Sequence, residues 1–232
     1  IVSIWIDVPA VVDGAPLANT GPRFQLDAVS SLDKAVSTWS FDLQMNEKKN
    51  ASIDDIEAAL SVAPNSDGRV SALVRNVGNT PNTLNITLQP IASDGTPQAD
   101  TEPSDRFNSN GWVVALFGGL EDIVLEPNET RLIEIGFQAP NTFDGEMHVE
   151  LQVFASGAQS SLKTARTVAR IDRVSSGLLE HSQQGCQSIS PGGSCAVELT
   201  ATNTGNSYNT FRLSGQLTAE AFQLELTEAT LV

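Results

Sequence analysis

Cys186 and Cys195 are the only cysteines in the chain, and the segment between them contains Pro191-Gly192-Gly193. A tight reversal of that composition brings two neighbouring strands together, so the sulfurs are expected to form a disulfide; two free buried thiols are the alternative. One nearby imidazole, His181, does not turn two sulfurs into a convincing zinc site. Three sequons, Asn50-Ala51-Ser52, Asn85-Ile86-Thr87 and Asn128-Glu129-Thr130, offer acceptors for N-linked glycans. Strand alternation points Asn85 outward, and Asn128 falls in a turn, which are places where a glycan fits.

Catalytic patterns are missing from the sequence. There is no Gly-x-Ser-x-Gly elbow, no His-Glu-x-x-His and no phosphate loop. His148 falls on the outward face of a strand and His181 in a polar linker. Asp54, Asp55 and Glu57, and separately Glu121 and Asp122, form small carboxylate groups that a solvated acidic surface accounts for. No Asp-x-Asp-x-Asp-Gly string is present, so no cofactor is expected; a weak Ca²⁺ site at a module junction stays open and unassigned. The chain is expected not to be an enzyme.

Charge narrows the partners. Acidic residues number 28 against 13 basic ones, a net charge of −15. Such a surface repels phosphate backbones and anionic lipid, which argues against nucleic-acid binding. No apolar run reaches the roughly 18 residues needed to span a bilayer. The sequence opens with Ile-Val-Ser-Ile-Trp-Ile, already a strand pattern, and shows no signal-like segment. It therefore reads as a processed mature chain or as a piece of something longer.

The elements that would position these residues are strands. Met147, Val149, Leu151 and Val153 alternate with His148, Glu150 and Gln152; Trp39, Phe41, Leu43 and Met45 alternate with Ser40, Asp42 and Gln44. Leu84, Ile86 and Leu88, and Ile133, Ile135 and Phe137, follow the same period of two. Successive Cβ atoms of a strand point to opposite faces, so each run builds a core on one side and meets water on the other. Gly- and Asn-rich reversals separate the runs, at Asn76-Val77-Gly78-Asn79, Ser93-Asp94-Gly95 and Asn203-Thr204-Gly205-Asn206. Residues 52–60 are the one helical candidate, with Ser52 as cap and Ile53, Ile56 and Leu60 on one face; an irregular first strand is the alternative. Trp5 does not share the face of Ile4, Ile6 and Val8. It is expected either to be a contact surface or covered by a neighbouring module, or to sit on the second buried face of a twisted strand.

Self-similarity organises the chain. Residues 69–84 match residues 196–211, with Asn76, Gly78, Asn79, Asn82 and Thr83 each repeated at one constant spacing (203 − 76 = 127). Apolar positions match as well: Val70 with Val197, Ala72 with Leu199, Val74 with Ala201 and Leu84 with Phe211. A fainter match relates Ile133-Glu134-Ile135-Gly136-Phe137-Gln138-Ala139-Pro140 to Val2-Ser3-Ile4-Trp5-Ile6-Asp7-Val8-Pro9. The expected fold is all-β, a tandem of immunoglobulin-like sandwiches with incomplete modules at both ends. Residues 1–49 would hold the last three strands of one module, 50–172 a complete seven-stranded sandwich, and 173–232 the first four strands of another.

The run Val74-Arg75-Asn76-Val77-Gly78-Asn79-Thr80-Pro81-Asn82-Thr83-Leu84, followed by Gly111-Trp112, Leu125-Glu126-Pro127-Asn128-Glu129-Thr130 and Ile135 to Pro140, resembles the CARDB-type (cell-adhesion-related) Ig-like modules of archaeal and bacterial surface proteins. The resemblance covers the central module and part of the third, where Tyr208 stands at the turn in place of Pro81 and Phe222 in place of the Trp. It implies a spacer or adhesive role on the cell surface. The expected function is thus a structural or adhesive repeat segment of an extracellular S-layer, filament or stalk glycoprotein. Its partners would be copies of itself or flanking modules of a longer chain, with possible glycans. Joining could proceed by strand or half-module complementation. The alternative is an accessory carbohydrate-binding or spacer region of a secreted glycoside hydrolase, which a flat strand face rich in aromatics would favour.

Overall fold

Apolar residues at alternate positions fold here as paired ladders. The computed structural model describes residues 3–118, 124–142, 145–181, 186 and 188–216. The first ladder is an antiparallel hairpin of β1 (Arg23–Val29) and β2 (Val36–Asp42), with Phe24 opposite Phe41 and Leu26 opposite Trp39. Residues 3–9, ahead of it, belong to no ladder.

The central region is a two-sheet sandwich. Its strands are β3 (Ala51–Ile56), β4 (Ala59–Val62), β5 (Asp67–Asn76), β6 (Asn82–Ile91), β7 (Arg106–Ser109), β8 (Trp112–Phe117), β9 (Val124–Leu125), β10 (Thr130–Gln138), β11 (Glu146–Ala155) and β12 (Lys163–Ile171). One sheet runs β3-β5-β10-β8-β7 and the other β4-β12-β11-β6-β9. A single 3₁₀ turn, Gln159–Ser161, links β11 to β12. The last described ladder pairs β13 (Gly177–His181) with β14 (Leu199–Asn203).

Both inner faces follow the alternation in the sequence. Val70, Ala72 and Val74 of β5, Ile133, Ile135 and Phe137 of β10, and Val149, Leu151 and Val153 of β11 are all buried. Trp112 closes one end of this core, edge-on to Phe137 with ring centroids 6.4 Å apart. Each fully buried side chain of this size contributes about 1.5–3 kcal/mol of transfer free energy, enough in sum to order the ladders.

The structure decides one open reading and corrects two others. First, residues 52–60 take the irregular-strand alternative, not the helix: they fall in β3 and β4, with a bulge between Ile53 and Asp55. A bulge counts two residues as one, so Ile53 and Ile56 reach the same face in a strand just as they would in a helix, and the spacing does not discriminate. The chain then changes sheet, β3 pairing antiparallel with β5 and β4 parallel with β12. The Ser52 hydroxyl donates to the Asp54 carboxylate at 2.6 Å instead of capping a helix. Second, the described residues of the central sandwich form ten strands where seven were expected. The split first strand, the β7–β8 hairpin and the two-residue β9 make up the difference. Third, His181 lies in no linker. It ends β13, opposite Leu199.

Candidate interaction surfaces and module junctions

The reversal after β5 is built by two asparagines. Asn76 is fully buried. Its Nδ2 donates to the carbonyls of Thr80 (3.0 Å) and Leu125 (2.8 Å), and its Oδ1 accepts from the Gly78 N–H at 3.0 Å. Asn79 holds the incoming chain: its Oδ1 accepts from the Lys48 N–H at 2.7 Å and its Nδ2 donates to the Asn46 carbonyl at 3.0 Å. A Cβ on Gly78 would collide with the Lys48 carbonyl, so only glycine lets the linker approach this closely.

The same device recurs after β14. Asn203 Nδ2 donates to the Ser207 carbonyl at 2.9 Å, and its Oδ1 accepts from the Gly205 N–H at 3.1 Å. Asn206 Oδ1 accepts from the Val174 N–H at 2.6 Å, and its Nδ2 donates to the Asp172 carbonyl at 2.7 Å. Gly205 lies against the Val174 carbonyl as Gly78 lies against that of Lys48. The chain leaving one ladder and entering the next is therefore pinned twice by identical chemistry. At the first junction the contact broadens. The Ala18 N–H donates to the Asn79 carbonyl at 2.8 Å. Arg75 pairs with Asp54 at 2.8 Å and with Asp13 at 3.3 Å, and donates to Asn128 Oδ1 at 3.0 Å.

The β1–β2 hairpin stands in the register of β11–β12. The Met45 N–H donates to the Thr20 carbonyl at 3.0 Å, as the Ile171 N–H does to that of Gly145 at 3.1 Å. Counting back along both ladders sets Phe24 and Leu26 where the centre has Val149 and Leu151. Phe41 and Trp39 likewise stand where it has Thr167 and Ala165. In the centre Val149 and Leu151 have no exposed surface, whereas Trp39 keeps 59% of its own. Phe24 stacks on Phe41 at 5.1 Å, and Trp39 lies 4.7 Å from Phe41. Ile4 and Ile6 join these four residues around a shallow apolar hollow of about 190 Å³.

Trp5 lies outside that hollow and is 89% exposed. Among the sequons, Asn85 and Asn128 are exposed and Asn50 is half-buried, its Oδ1 accepting from the Ala51 N–H. Asn128 adopts a left-handed turn conformation, φ 66°. A disulfide joins Cys186 and Cys195, with Cα atoms 5.6 Å apart. His148 lies on the outer face of β11, 3.0 Å from Glu146. Glu146 also accepts from Arg170 at 2.7 Å, and that hydrogen bond, joined by the one to His148, holds its carboxyl below the ordinary value of 4.5 against the opposing effect of burial. Of the acidic groups, Asp54 is taken up by Arg75, and Glu121 and Asp122 lie outside the described residues. Among the described residues no three His, Cys, Asp or Glu side chains converge as metal ligands. No described helix is long and apolar enough to cross a membrane, which says nothing of β-barrels. Sequence reading located both asparagine pairs as turn residues but missed their clamping role; the constant spacing of the two copies was the available signal.

Neither a protein-family model nor a curated protein sequence matches the chain. Among solved structures it is similar to a family 123 glycoside hydrolase from Clostridium perfringens, at 11% identity over 49% of this chain and 22% of that one, TM-score 0.34. It is also similar to the class 5 fimbriae chaperone CfaA, at 15% identity over 68% of each chain, TM-score 0.32. A third is the S-layer protein SbsC, domains 4 and 5, at 11% identity over 58% of each chain, TM-score 0.28. The chain spans about a fifth of the hydrolase's length.

Proposed function

We propose that this chain is a non-catalytic, structural segment of an extracellular surface assembly, in which Ig-like modules related to the CARDB type are strung in tandem and joined end to end. The observation that carries this reading is the twice-built junction. Asn79 and Asn206 grip the incoming backbone by the same pair of hydrogen bonds, which fixes the direction in which one module follows another. A rigid joint of that kind suits a protein whose work is spacing. Oxidation of Cys186 and Cys195 fits an extracellular setting. Assembly is head to tail, each chain's C-terminal ladder meeting the apolar hairpin face of the next; such heterologous contacts propagate as filaments unless they close into rings.

Sedimentation velocity and negative-stain electron microscopy of the purified full chain test this. Strings of subunits that lengthen with concentration are expected. A single monomeric species at every concentration would count against it. The exposed indole of Trp39, flanked by the half-buried rings of Phe24 and Phe41, favours one second reading, a carbohydrate-binding face, since flat rings stack on sugars. Binding to insoluble polysaccharide that disappears on Trp39→Ala would favour that reading instead.

A further inference from the structure

We infer that the hollow formed by Ile4, Ile6, Phe24, Leu26, Trp39 and Phe41 is completed by residues 195–215 of a second copy of this chain, in the register that the central sandwich uses within itself. This rests on the head-to-tail reading above and adds the pairing that would realise it.

The central sandwich supplies the template. Its first strands and its last strands are held together by two ladders, β5 with β10 and β6 with β11, the former nine residue pairs long and the latter eight. The two ends of the chain carry counterparts of these strands, divided between them. Residues 195–203 match β5, and 209–215 match β6; residues 3–8 match β10, and β1 stands in the register of β11. Each end forms only the ladder whose two strands it owns, β13 with β14 at one end and β1 with β2 at the other. Among the described residues, the counterparts of β6 and β10 form no ladder. These are the two pairings that a second copy would supply. Unpaired edges beside an exposed apolar face are a strong drive to such strand addition.

Side-chain volumes agree. Leu88, Leu151 and Ala165 lie in one row across β6, β11 and β12. The corresponding row across two copies is Gly215, Leu26 and Trp39, in which the loss of a leucine on one chain meets the gain of an indole on the other. Val74 likewise gives way to Ala201, while Phe41 replaces Thr167. Phe211 is larger than its counterpart Leu84, but its ring fills the space over Gly177 within its own end. The nine-pair ladder of the centre, carried across, sets Ile4 opposite Val197, Ser3 opposite Glu198 and Trp5 opposite Ala196.

Cross-linking in the full chain reads the register. Ser3 and Glu198 are exposed, and directly opposed residues of an antiparallel ladder have Cβ atoms about 4.5–5.5 Å apart, within reach of a disulfide. Mixing Ser3→Cys with Glu198→Cys chains under mild oxidation should give a covalent dimer, and a chain carrying both should give a ladder of multimers. Ser3→Cys with Val197→Cys, slipped by one residue and pointing to opposite faces, should not cross-link. Trp39→Ala should raise the concentration needed for assembly by about 30-fold, as loss of a central aromatic anchor does. Its effect on unfolding of the central sandwich should be nil. Assembly without cross-links, or with equal yield from the slipped pair, overturns the register while leaving head-to-tail joining in place. A chain that stays monomeric overturns both, and an intramolecular Ser3→Cys/Glu198→Cys bridge overturns the second copy as occupant.

Discussion

Replacing Asn76 by alanine removes three hydrogen bonds from a site with no solvent exposure: two donated to the carbonyls of Thr80 and Leu125 and one accepted from the Gly78 N–H. Each is worth about 1 kcal/mol net, and the backbone groups left behind cannot all find water. The expected loss is therefore about 3 kcal/mol, a large share of the roughly 5–15 kcal/mol that holds a domain together. In thermal unfolding this lowers the midpoint by roughly 10 °C. Urea denaturation followed by tryptophan fluorescence should show a lower midpoint at unchanged slope, since Trp112 reports on the same core. Asn85→Ala is the control. That residue is exposed on β6, and its loss should stay within about 0.5 kcal/mol of the parent. If Asn76→Ala and Asn85→Ala unfold at the same urea concentration, the buried asparagine does not organise the reversal.

Further outcomes follow from the same geometry. Asn79→Ala should free the linker around residues 46–50, seen as faster limited proteolysis there with little change in the unfolding midpoint of the central sandwich. Glu146→Gln bears on acid stability. The carboxyl of Glu146 is held below its ordinary value in the folded state, so its pairing with Arg170 stabilises fully above about pH 4.5 and is lost as the pH falls through the folded-state value. The variant should flatten that part of the stability curve by less than about 1 kcal/mol, because the pair is exposed to solvent. When the chain is produced in a host that glycosylates, peptide mass mapping should find glycans on Asn85 and Asn128, which are exposed, before Asn50, which is half-buried.

Much of the fold was legible because a period of two is hard to mistake over long strands. The inner faces of β5, β10 and β11 can be read directly from the alternation of Val, Ile and Leu with polar residues. Short or bulged strands were not legible. A bulge at Ile53 to Asp55 gave residues 52–60 a helical spacing, and the choice between the two was made by pairing with β5 and β12, which lie far away in sequence. The junction shows a related limit. Asn and Gly at 76–79 and 203–206 announce a reversal, but nothing local says that Asn79 and Asn206 reach back to grip a preceding segment. That partner is close only once the ladders exist. The hairpin face at Phe24, Trp39 and Phe41 reads as a core in the sequence, yet in the structure Phe24 and Phe41 are half-buried and Trp39 is exposed, and a period of two does not say what packs over a face.

Hydrogen exchange of the full chain, measured across a dilution series, is the most direct test of that open face. Amides of β5, β6, β10 and β11 should be protected at every concentration. Amides of residues 3–8 and 209–215 should exchange fast in dilute protein and gain protection together as the concentration rises. If those two segments are already as protected as the central strands in dilute, monomeric protein, each end closes its own core and there is no unfinished face for another copy to fill.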